Sequence, residues 1–439
     1  MYLRSFALLI VSVVLSGITP TATVAQSVLT RQIEAQIADL EPQVIAWRRD
    51  IHEHPELGNR EFRTAALIAD HLRSLGIEVE TEVAHTGVVG ILRGGRPGPV
   101  VLLRADMDGL PVTERADIPF ASKVTTVYNG AEVGVMHACG HDTHVAILLG
   151  AATVLAEMRD ELPGTVKFMF QPAEEGPPEG EDGGAELMVR ENILANPDVD
   201  AAFALHIWSL GEVDNIFYSP GGTWASADAF RIVVRGRQTH GGYPWNGTDP
   251  IVISAQIITA LQTIVSREMK LIEAASVVSV GKIEGGVRSN IIPEQVVMDG
   301  TIRALDPEHR KQIHERVRAI ATGIAESMGA TAEVTIPVGL GVPVTYNDPD
   351  LTVDMVSMLE AMAPGQVKRT PAETGAEDFA FVADRVPSFY IQLGGRPTDV
   401  PAADAADHHT PDFFIDDSGL SLGVRAMTAM ALHYMQTHR

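Results

Sequence analysis

Apolar residues recur at spacings of three and four over residues 29–75, and short unbroken apolar runs follow. The first pattern predicts amphipathic helices, and Gly76 is suited to end the last of them. The runs PVVLL, TVKFMFQ and DVDAAFAL read as buried strands, and the segment VAILLGAATVLAEM between the first two has the spacing of a helix. Continuous apolar strands that alternate with helices predict an α/β fold, with a mostly parallel sheet covered by helices on both faces.

The pattern changes near residue 217. From there to residue 337 the order of predicted elements is strand, helix, strand, strand, helix, strand, which is the order of a ferredoxin-like α+β unit. About 120 residues is an ordinary domain size. We therefore expect this unit, 217–337, to be inserted into a larger domain built from residues 26–216 and 338–439.

Polar residues follow the predicted strands of the larger domain. PVVLL runs into Arg104 and Asp106, TVKFMFQ is followed by Glu174 and Glu175, and DVDAAFAL ends at His206. Ligands of open parallel sheets bind beyond the carboxyl ends of the strands. The sequence therefore predicts a functional site at this edge of the sheet.

The segment VGVMHACGHDTH, residues 133–144, contains three histidines, an aspartate and the only cysteine of the chain. Cys139 and His141 lie two residues apart at the start of a predicted helix, where both side chains can converge on one point. Thiolate and imidazole bind transition metals readily. The alternative, an inert buried cysteine, is weaker because histidines stand on both sides of Cys139.

Together with Glu175, His206 and His409, this pair gives more donors than one tetrahedral ion accepts. They suit two ions a few ångströms apart, bridged by Cys139 or a water. Such sites activate water at neutral pH, and the neighbouring Glu174 is then free to act as general base. Taken alone, the glutamate pair is most simply interpreted as an acidic turn exposed to solvent. The convergence of the pair with the cysteine and histidine motifs favours a hydrolase instead.

The net charge, the N-terminal segment and the motifs that are missing limit the possible partners, location and chemistry of the protein. The formal net charge of −24 argues against nucleic acid or an anionic membrane as a partner. Residues 1–25 form a secretory signal pattern with cleavage expected after Ala25, so the mature protein is expected to be periplasmic or secreted. No later segment approaches transmembrane length in the sequence pattern. His52 and His54 are interpreted as surface or interface residues, and the chain lacks a GxSxG elbow.

The motifs LRADMDGLP, HACGHDTH, FQPAEEG, ALH, GRQTHGGYP and HHTPDF, in this order, resemble the aminoacylase and carboxypeptidase family of metallopeptidases. The branch is similar to hippurate hydrolases and indole-acetyl-amino-acid amidohydrolases. The resemblance implies a catalytic domain with two divalent ions and an inserted lid domain that commonly mediates dimerisation. It implies hydrolysis of the amide between an acyl group and an amino acid, with a short peptide as the other substrate class.

Residue by residue, the resemblance implies five metal ligands, a base and three lid residues. The ligands are Cys139, His141, Glu175, His206 and His409, and the base is Glu174. His240 matches a lid histidine that reaches the scissile carbonyl, often across a homodimer or higher homo-oligomer. Asn290 and Arg303 match residues that hold the substrate carboxylate, a task that suits the planar guanidinium of arginine.

Several points stay open at this level. Peptidase branches carry a His-x-Asp motif where this chain has Arg104-Ala105-Asp106, which leaves the role of Asp106 undetermined. The adjacent His408 and His409 compete for the fifth ligand position, with His409 preferred. Zn, Mn, Co and Ni all accept this donor set. The rival functions are a metallo-carboxypeptidase or dipeptidase and a catalytically silent protein that binds amino-acid conjugates.

Overall fold

A computed structural model describes residues 20–438, with side chains described from Arg31 onward. Most of the predicted signal segment, residues 1–19, therefore lies outside the described residues. The α-helices of the described part of the chain are α1 Pro20–Glu53, α2 Phe62–Ser74, α3 His141–Glu157, α4 Gly184–Arg190, α5 Pro250–Thr263, α6 Pro307–Ser327, α7 Pro349–Met362, α8 Ala380–Ala383 and α9 Leu420–Thr437.

The strands of the described chain form one large sheet, one smaller sheet and three two-stranded pairs. In chain order they are β1 Glu78–Val83, β2 Gly87–Arg93, β3 Arg96–Asp106, β4 Thr125–Tyr128, β5 Ala131–Gly134, β6 Pro163–Gln171, β7 Ala201–Glu212, β8 Ile216–Tyr218, β9 Gly221–Trp224, β10 Asp228–Arg235, β11 Thr239–His240, β12 Ser276–Gly285, β13 Ile291–Ile292, β14 Gln295–Ala304, β15 Thr331–Thr335, β16 Thr345–Asn347, β17 Val367–Arg369 and β18 Ser388–Arg396.

The large sheet has the order β1-β2-β6-β3-β7-β18-β8-β17. Its central strands β6, β3, β7 and β18 are parallel to one another. Alternate residues of β3 face opposite sides: Leu103 packs in the apolar core that includes α1, α3 and α9, while Leu102 packs in the core that includes α4 and α8. Burial on both faces explains the continuous apolar runs. The predicted mostly parallel, doubly covered sheet is confirmed.

The smaller sheet has the order β12-β14-β10-β15, and all its neighbours are antiparallel. Helices α5 and α6 cover one face of this sheet, and Ile232, Leu261 and Val317 are fully buried between them. Element order and strand order together are those of a ferredoxin-like unit, as predicted. The boundaries at 217 and 337 stay a prediction; strand β8, which spans the first of them, pairs within the large sheet.

One helical segment of the described chain, Pro250–Glu268, is long and apolar enough to cross a membrane by length and composition. The sequence pattern did not indicate a span of this length. Its buried side chains Ile253, Ile257 and Leu261 lie in the core of the smaller sheet. Packing against that sheet accounts for these positions, while Ile251 and Val252 of the same segment are exposed.

Candidate metal centre

Cys139 and His141 sit on either side of a sharp turn at the start of α3. Gly140 between them has φ +88°, and a Cβ at this position would lie 2.2 Å from Ile207 Cγ2. Only glycine adopts this backbone conformation readily and leaves that space free. The turn therefore brings both side chains, which are fully or almost fully buried, to the carboxyl edge of the parallel strands.

His206 lies within β7, where the sequence predicted a strand end. The pairing of β7 with β3 stops at Ala204, so His206 already lies beyond that neighbour although β18 continues beside it. His206 Nδ1 donates to the Ile207 carbonyl at 2.5 Å, so the lone pair of the ring lies on Nε2. That atom is 3.3 Å from Cys139 Sγ.

The imidazole of His141 is oriented by a carboxylate. Its Nδ1 donates to Asp108 Oδ1 at 3.0 Å, and Asp108 Oδ2 accepts the backbone N–H of Glu175 at 3.1 Å. The opposite nitrogen, His141 Nε2, is buried and has no hydrogen-bond partner. A histidine held by a carboxylate with its other nitrogen free is the usual arrangement of a metal ligand.

Glu175 and His409 complete the cluster. His409 Nε2 lies 2.9 Å from Glu175 Oε1 and 3.3 Å from Cys139 Sγ. The ligand atoms of Cys139, His141 and His206 lie within 4.8 Å of one another, as do those of Cys139, Glu175 and His409. Two groups of three that share Cys139 fit the predicted pair of ions with a bridging thiolate.

The structure also distinguishes the two adjacent histidines. His408 Nε2 accepts the backbone N–H of Ser209 at 3.1 Å, so its proton lies on Nδ1, 3.6 Å from Cys139 Sγ. Burial, with His409 adding to it, lowers the pKa of His408 to about 3. His409 has a left-handed backbone with φ +62°, which turns its side chain toward Glu175. The geometry favours His409 over His408 as a ligand.

Glu174 lies beside the cluster, with a carboxylate oxygen within 4.8 Å of ligand atoms of His141 and Glu175. Burial, Glu377 and Glu175 hold the pKa of Glu174 well above its usual range. Burial and the carboxylates of Glu175 and Glu174 likewise raise the pKa of the Cys139 thiol. A cation at this position would reverse these shifts, and with the free His141 Nε2 this makes the residue set a good fit for divalent metal.

Asp106, whose role the sequence left open, is fully buried beside the cluster. Its Oδ1 accepts from His144 Nδ1 at 2.5 Å, and His144 Nε2 accepts the backbone N–H of Ile207 at 2.7 Å. Arg104 Nη1 lies 2.8 Å from Asp106 Oδ2. Asp106 therefore ties the strand β3 to α3 and to the backbone that follows His206.

Arg104 is the centre of a buried charge network that sequence reasoning missed. Besides Asp106, its guanidinium contacts Glu377 at 2.7 Å and Asp378 at 3.1 Å, and Tyr390 donates to Glu377 at 2.6 Å. These partners are more than 270 residues away along the chain, so no local pattern signals them. The Asp378 backbone N–H also donates to Glu174 Oε1 at 3.4 Å, which links the network to the candidate base.

Replacing Arg104 with methionine is expected to lower the free energy of unfolding by about 3–5 kcal/mol, because several buried carboxylates lose their cation. Denaturant unfolding of the metal-free protein measures this. The Arg231→Met variant, which breaks an exposed ion pair with Asp299 in the smaller sheet, is the control and should unfold almost as the wild type does. Equal stability of both variants would contradict the importance of the network.

The three predicted lid residues lie elsewhere. His240 is exposed, accepts the Gly242 N–H at its Nδ1 and packs against Tyr243. Asn290 is exposed on the neighbouring segment, and Arg303 is partly buried on β14. None of them is among the described residues that line the cavity over Cys139. Their roles stay a prediction.

The interpretation of His52 as a surface residue is wrong. Its side chain is buried, with Nδ1 2.9 Å from Asp142 and Nε2 3.1 Å from Glu114. Arg48 also contacts Asp142 at 2.8 Å. This network anchors α1 to the first turn of α3, next to His141. The other residue of the pair, His54, is about half exposed, as expected.

A cavity of about 410 Å³ opens over the cluster. Its lining combines Cys139, Glu174 and His206 with the apolar side chains of Trp208, Leu210 and Trp224. Trp208 is held by edge-to-face packing on Phe217, with ring centroids 4.9 Å apart. Apolar walls above a few convergent polar groups are typical of a small-molecule site.

Known proteins match the chain over most of its length. Thermostable carboxypeptidase 2 of Saccharolobus solfataricus is 39% identical over 407 residues, 92% of this chain and 99% of the relative. IAA-amino acid hydrolase ILR1-like 2 of Arabidopsis thaliana is 35% identical over 417 residues, 93% of this chain and 90% of the relative. The crystal structure of Bacillus subtilis YXEP, described as a dinuclear metal binding peptidase, is 33% identical with a TM-score of 0.75, covering 91% of this chain and 99% of that one.

The characteristic sequence pattern of peptidase family M20/M25/M40 matches residues 102–433, a range that contains all the cluster residues described above. This range is well over half of the 439-residue chain. The chain therefore belongs to peptidase family M20/M25/M40.

Proposed function

We propose that this protein is a metal-dependent amidohydrolase that cleaves the amide bond of N-acyl amino acids. The observation that carries the proposal is the convergence of Cys139, His141, Glu175, His206 and His409 around two overlapping groups of donor atoms, with Glu174 alongside. The relative described as dinuclear metal binding supports two divalent ions, Zn, Mn, Co or Ni, at this cluster. The five clustered residues would hold the ions.

When bound, such ions lower the pKa of a water molecule and polarise the carbonyl that it attacks. The protein's own contribution begins with orientation. Asp108 holds the His141 ring and, through the Glu175 N–H, the loop that carries both glutamates. The Ile207 carbonyl fixes the tautomer of His206. These contacts keep the donor atoms in place before substrate arrives.

Glu174 takes the proton of the attacking water and then gives it to the nitrogen of the leaving amino acid. Its oxygen lies within 4.8 Å of ligand atoms of His141 and Glu175, and thus beside the position that the water would take. Glu174 lies outside the two donor groups that share Cys139, so its carboxylate stays free to carry the proton in both steps.

The walls of the cavity favour an apolar or aromatic acyl group. Trp208 and Trp224 offer flat aromatic surfaces against which an aromatic acyl group would stack, and Leu210 adds an apolar side chain. The relative named IAA-amino acid hydrolase supports an aromatic conjugate as substrate. Asn290 and Arg303 are proposed to hold the substrate carboxylate and His240 to reach the carbonyl, by movement of the lid or from the partner in a homodimer.

A second candidate function is carboxypeptidase or dipeptidase activity on short peptides. The relative named thermostable carboxypeptidase 2, at 39% identity, favours it. The carboxylates of Glu373 and Asp407 at the cavity are the features that would bind the free amino group of a peptide.

We further propose that the mature protein acts in the periplasm or outside the cell, as the signal pattern of residues 1–25 indicates.

Amino-acid release from a panel of substrates tests these proposals. Purified mature protein is assayed with N-acetyl, N-benzoyl and N-indoleacetyl amino acids and with dipeptides, before and after chelation and metal readdition. We expect cleavage of the aromatic conjugates, loss of at least about 100-fold on chelation, and recovery with metal. Cleavage of dipeptides alone would favour the second function. No cleavage by the metal-loaded protein would favour a catalytically silent binding protein.

A further inference from the structure

We propose that Glu61 is a positioning residue for the loop that carries Glu174 and Glu175. The inference rests on the proposed function for its catalytic consequence, but its structural basis is independent of the reaction. Glu61 directly precedes α2 and lies far from the metal-ligating motifs in the sequence. Its side chain is fully buried, although it is a carboxylate without a lysine or arginine hydrogen-bonded to it in the described chain.

The two oxygens of Glu61 have different partners. Oε1 accepts the backbone N–H of Ala173 at 2.9 Å, and Oε2 accepts the hydroxyl of Thr86 at 2.5 Å. Thr86 stands at the turn between β1 and β2. One carboxylate therefore joins the start of α2, the β1–β2 turn and the residue that immediately precedes Glu174.

Ala173 needs such support because its backbone is in the left-handed region, with φ +50°. A non-glycine residue in this conformation costs on the order of 1 kcal/mol and persists only when its surroundings enforce it. Leaving a buried backbone N–H without its acceptor costs on the order of 1–3 kcal/mol. The Glu61 contact is therefore able to hold the strained residue.

The conformation of Ala173 determines where the next two side chains point. Asp108 holds the same loop two residues later, at the Glu175 N–H. Glu174 lies between these two carboxylate contacts. Loss of the Glu61 contact would free the loop on the side of Glu174, while the contact at Glu175 would remain. The catalytic base is thus expected to be affected more than the metal ligand.

The neighbouring residues hold a more distant part of the loop. Asn59 donates to Glu181 at 3.1 Å and to the Asp182 carbonyl at 3.0 Å, and Arg60 pairs with Glu181 at 2.6 Å on the surface. Arg60 makes its loop contacts at Glu181 alone, eight residues beyond Ala173. Arg60→Ala is therefore a matched control from the adjacent position.

The test compares Glu61→Ala, Glu61→Gln and Arg60→Ala in the metal-loaded protein. We expect Glu61→Ala to lower kcat by about 100-fold with less than about threefold change in KM, because displacing a reacting group by an ångström has effects of this size. Glutamine keeps an oxygen that accepts the Ala173 N–H, so Glu61→Gln should recover kcat to within about fivefold of the wild type. Arg60→Ala should keep kcat within about twofold.

Hydrogen–deuterium exchange provides a measurement that does not depend on activity. The backbone amides of residues 173–176 should exchange at least about tenfold faster in Glu61→Ala than in the wild type or in Arg60→Ala, because the loop opens locally when its anchor is lost. Unchanged exchange in Glu61→Ala, or an equal loss of kcat in Arg60→Ala, would overturn the proposal. If the wild type cleaves no substrate, the proposed function fails and exchange alone decides the positioning role.

The Thr86→Val variant keeps the inference testable if Glu61→Ala does not fold. It removes the hydroxyl that holds Glu61 Oε2 but leaves the carboxylate and its contact with Ala173 in place. We expect exchange of residues 173–176 to be about threefold faster and kcat to fall by a similar factor. Wild-type behaviour in both measurements would overturn the proposal.

Discussion

Replacing Glu174 with glutamine is expected to lower kcat by about 1,000-fold and to leave the bound metal unchanged, because general acid–base catalysis contributes 10²–10⁴. Glutamine has nearly the same shape and still accepts the N–H of Asp378, which contacts Glu174 Oε1 at 3.4 Å. It cannot take a proton from water. Steady-state kinetics on the best substrate of the panel, with metal content measured on the same sample, checks this.

The Glu179→Gln variant is the control for this result. Glu179 lies in the same loop and its side chain is exposed, so the variant removes one carboxylate without touching the cluster. Its kcat should equal that of the wild type. Full activity in Glu174→Gln would refute the assigned base. Loss of metal from Glu174→Gln would instead show that Glu174 is a ligand, and the division of roles between the two glutamates would have to be reversed.

Most of the fold was predictable because the burial of side chains gives each segment a regular pattern of apolar residues. Alternate residues of β3, such as Leu102 and Leu103, pack into different cores, so the strand had to be apolar throughout. The ferredoxin-like unit was equally predictable, because its two helices and four main strands follow one another in the chain in the order of that fold. Segments of this kind carry their structural information locally.

The metal-ligating cluster could be predicted from the sequence for another reason. Cys139 and His141 are two residues apart, and Glu174 and His206 each come shortly after a continuous apolar run in the sequence. The exact position of His206 was not visible. It lies inside β7, and only the point at which neighbouring β3 stops pairing brings it to the edge. That point depends on strand register, which the sequence of β7 does not contain.

The residues that support the cluster could not be predicted from the sequence. Glu377 and Glu61 bond to residues 273 and 112 positions away, respectively, and each resembles an ordinary charged surface residue in the sequence. His52 was misjudged for the same reason, since Asp142 and Glu114 that make its burial possible come from other segments. A buried charge is identifiable only together with its partners.

Replacing Cys139 with alanine is expected to weaken metal binding by more than about 100-fold, the upper loss typical of mutations at outer-shell partners. Cys139 Sγ lies 3.3 Å from both His206 Nε2 and His409 Nε2, so its removal affects both groups of donors. We expect the metal content to fall from two ions to at most one. Equilibrium titration of the metal-free protein with zinc or manganese measures both quantities.

The Cys139→Ser variant tests whether metal binding depends on the charge and softness of the thiolate or only on the volume of the side chain. A hydroxyl fills nearly the same volume but is a harder donor than a thiolate, so affinity for zinc should fall more than affinity for manganese. Thermal unfolding of the metal-free variants is the control, and similar midpoints would exclude misfolding. If Cys139→Ala binds two ions as tightly as the wild type, the thiol is an inert buried side chain, and the shared ligand between the two donor groups must be a water.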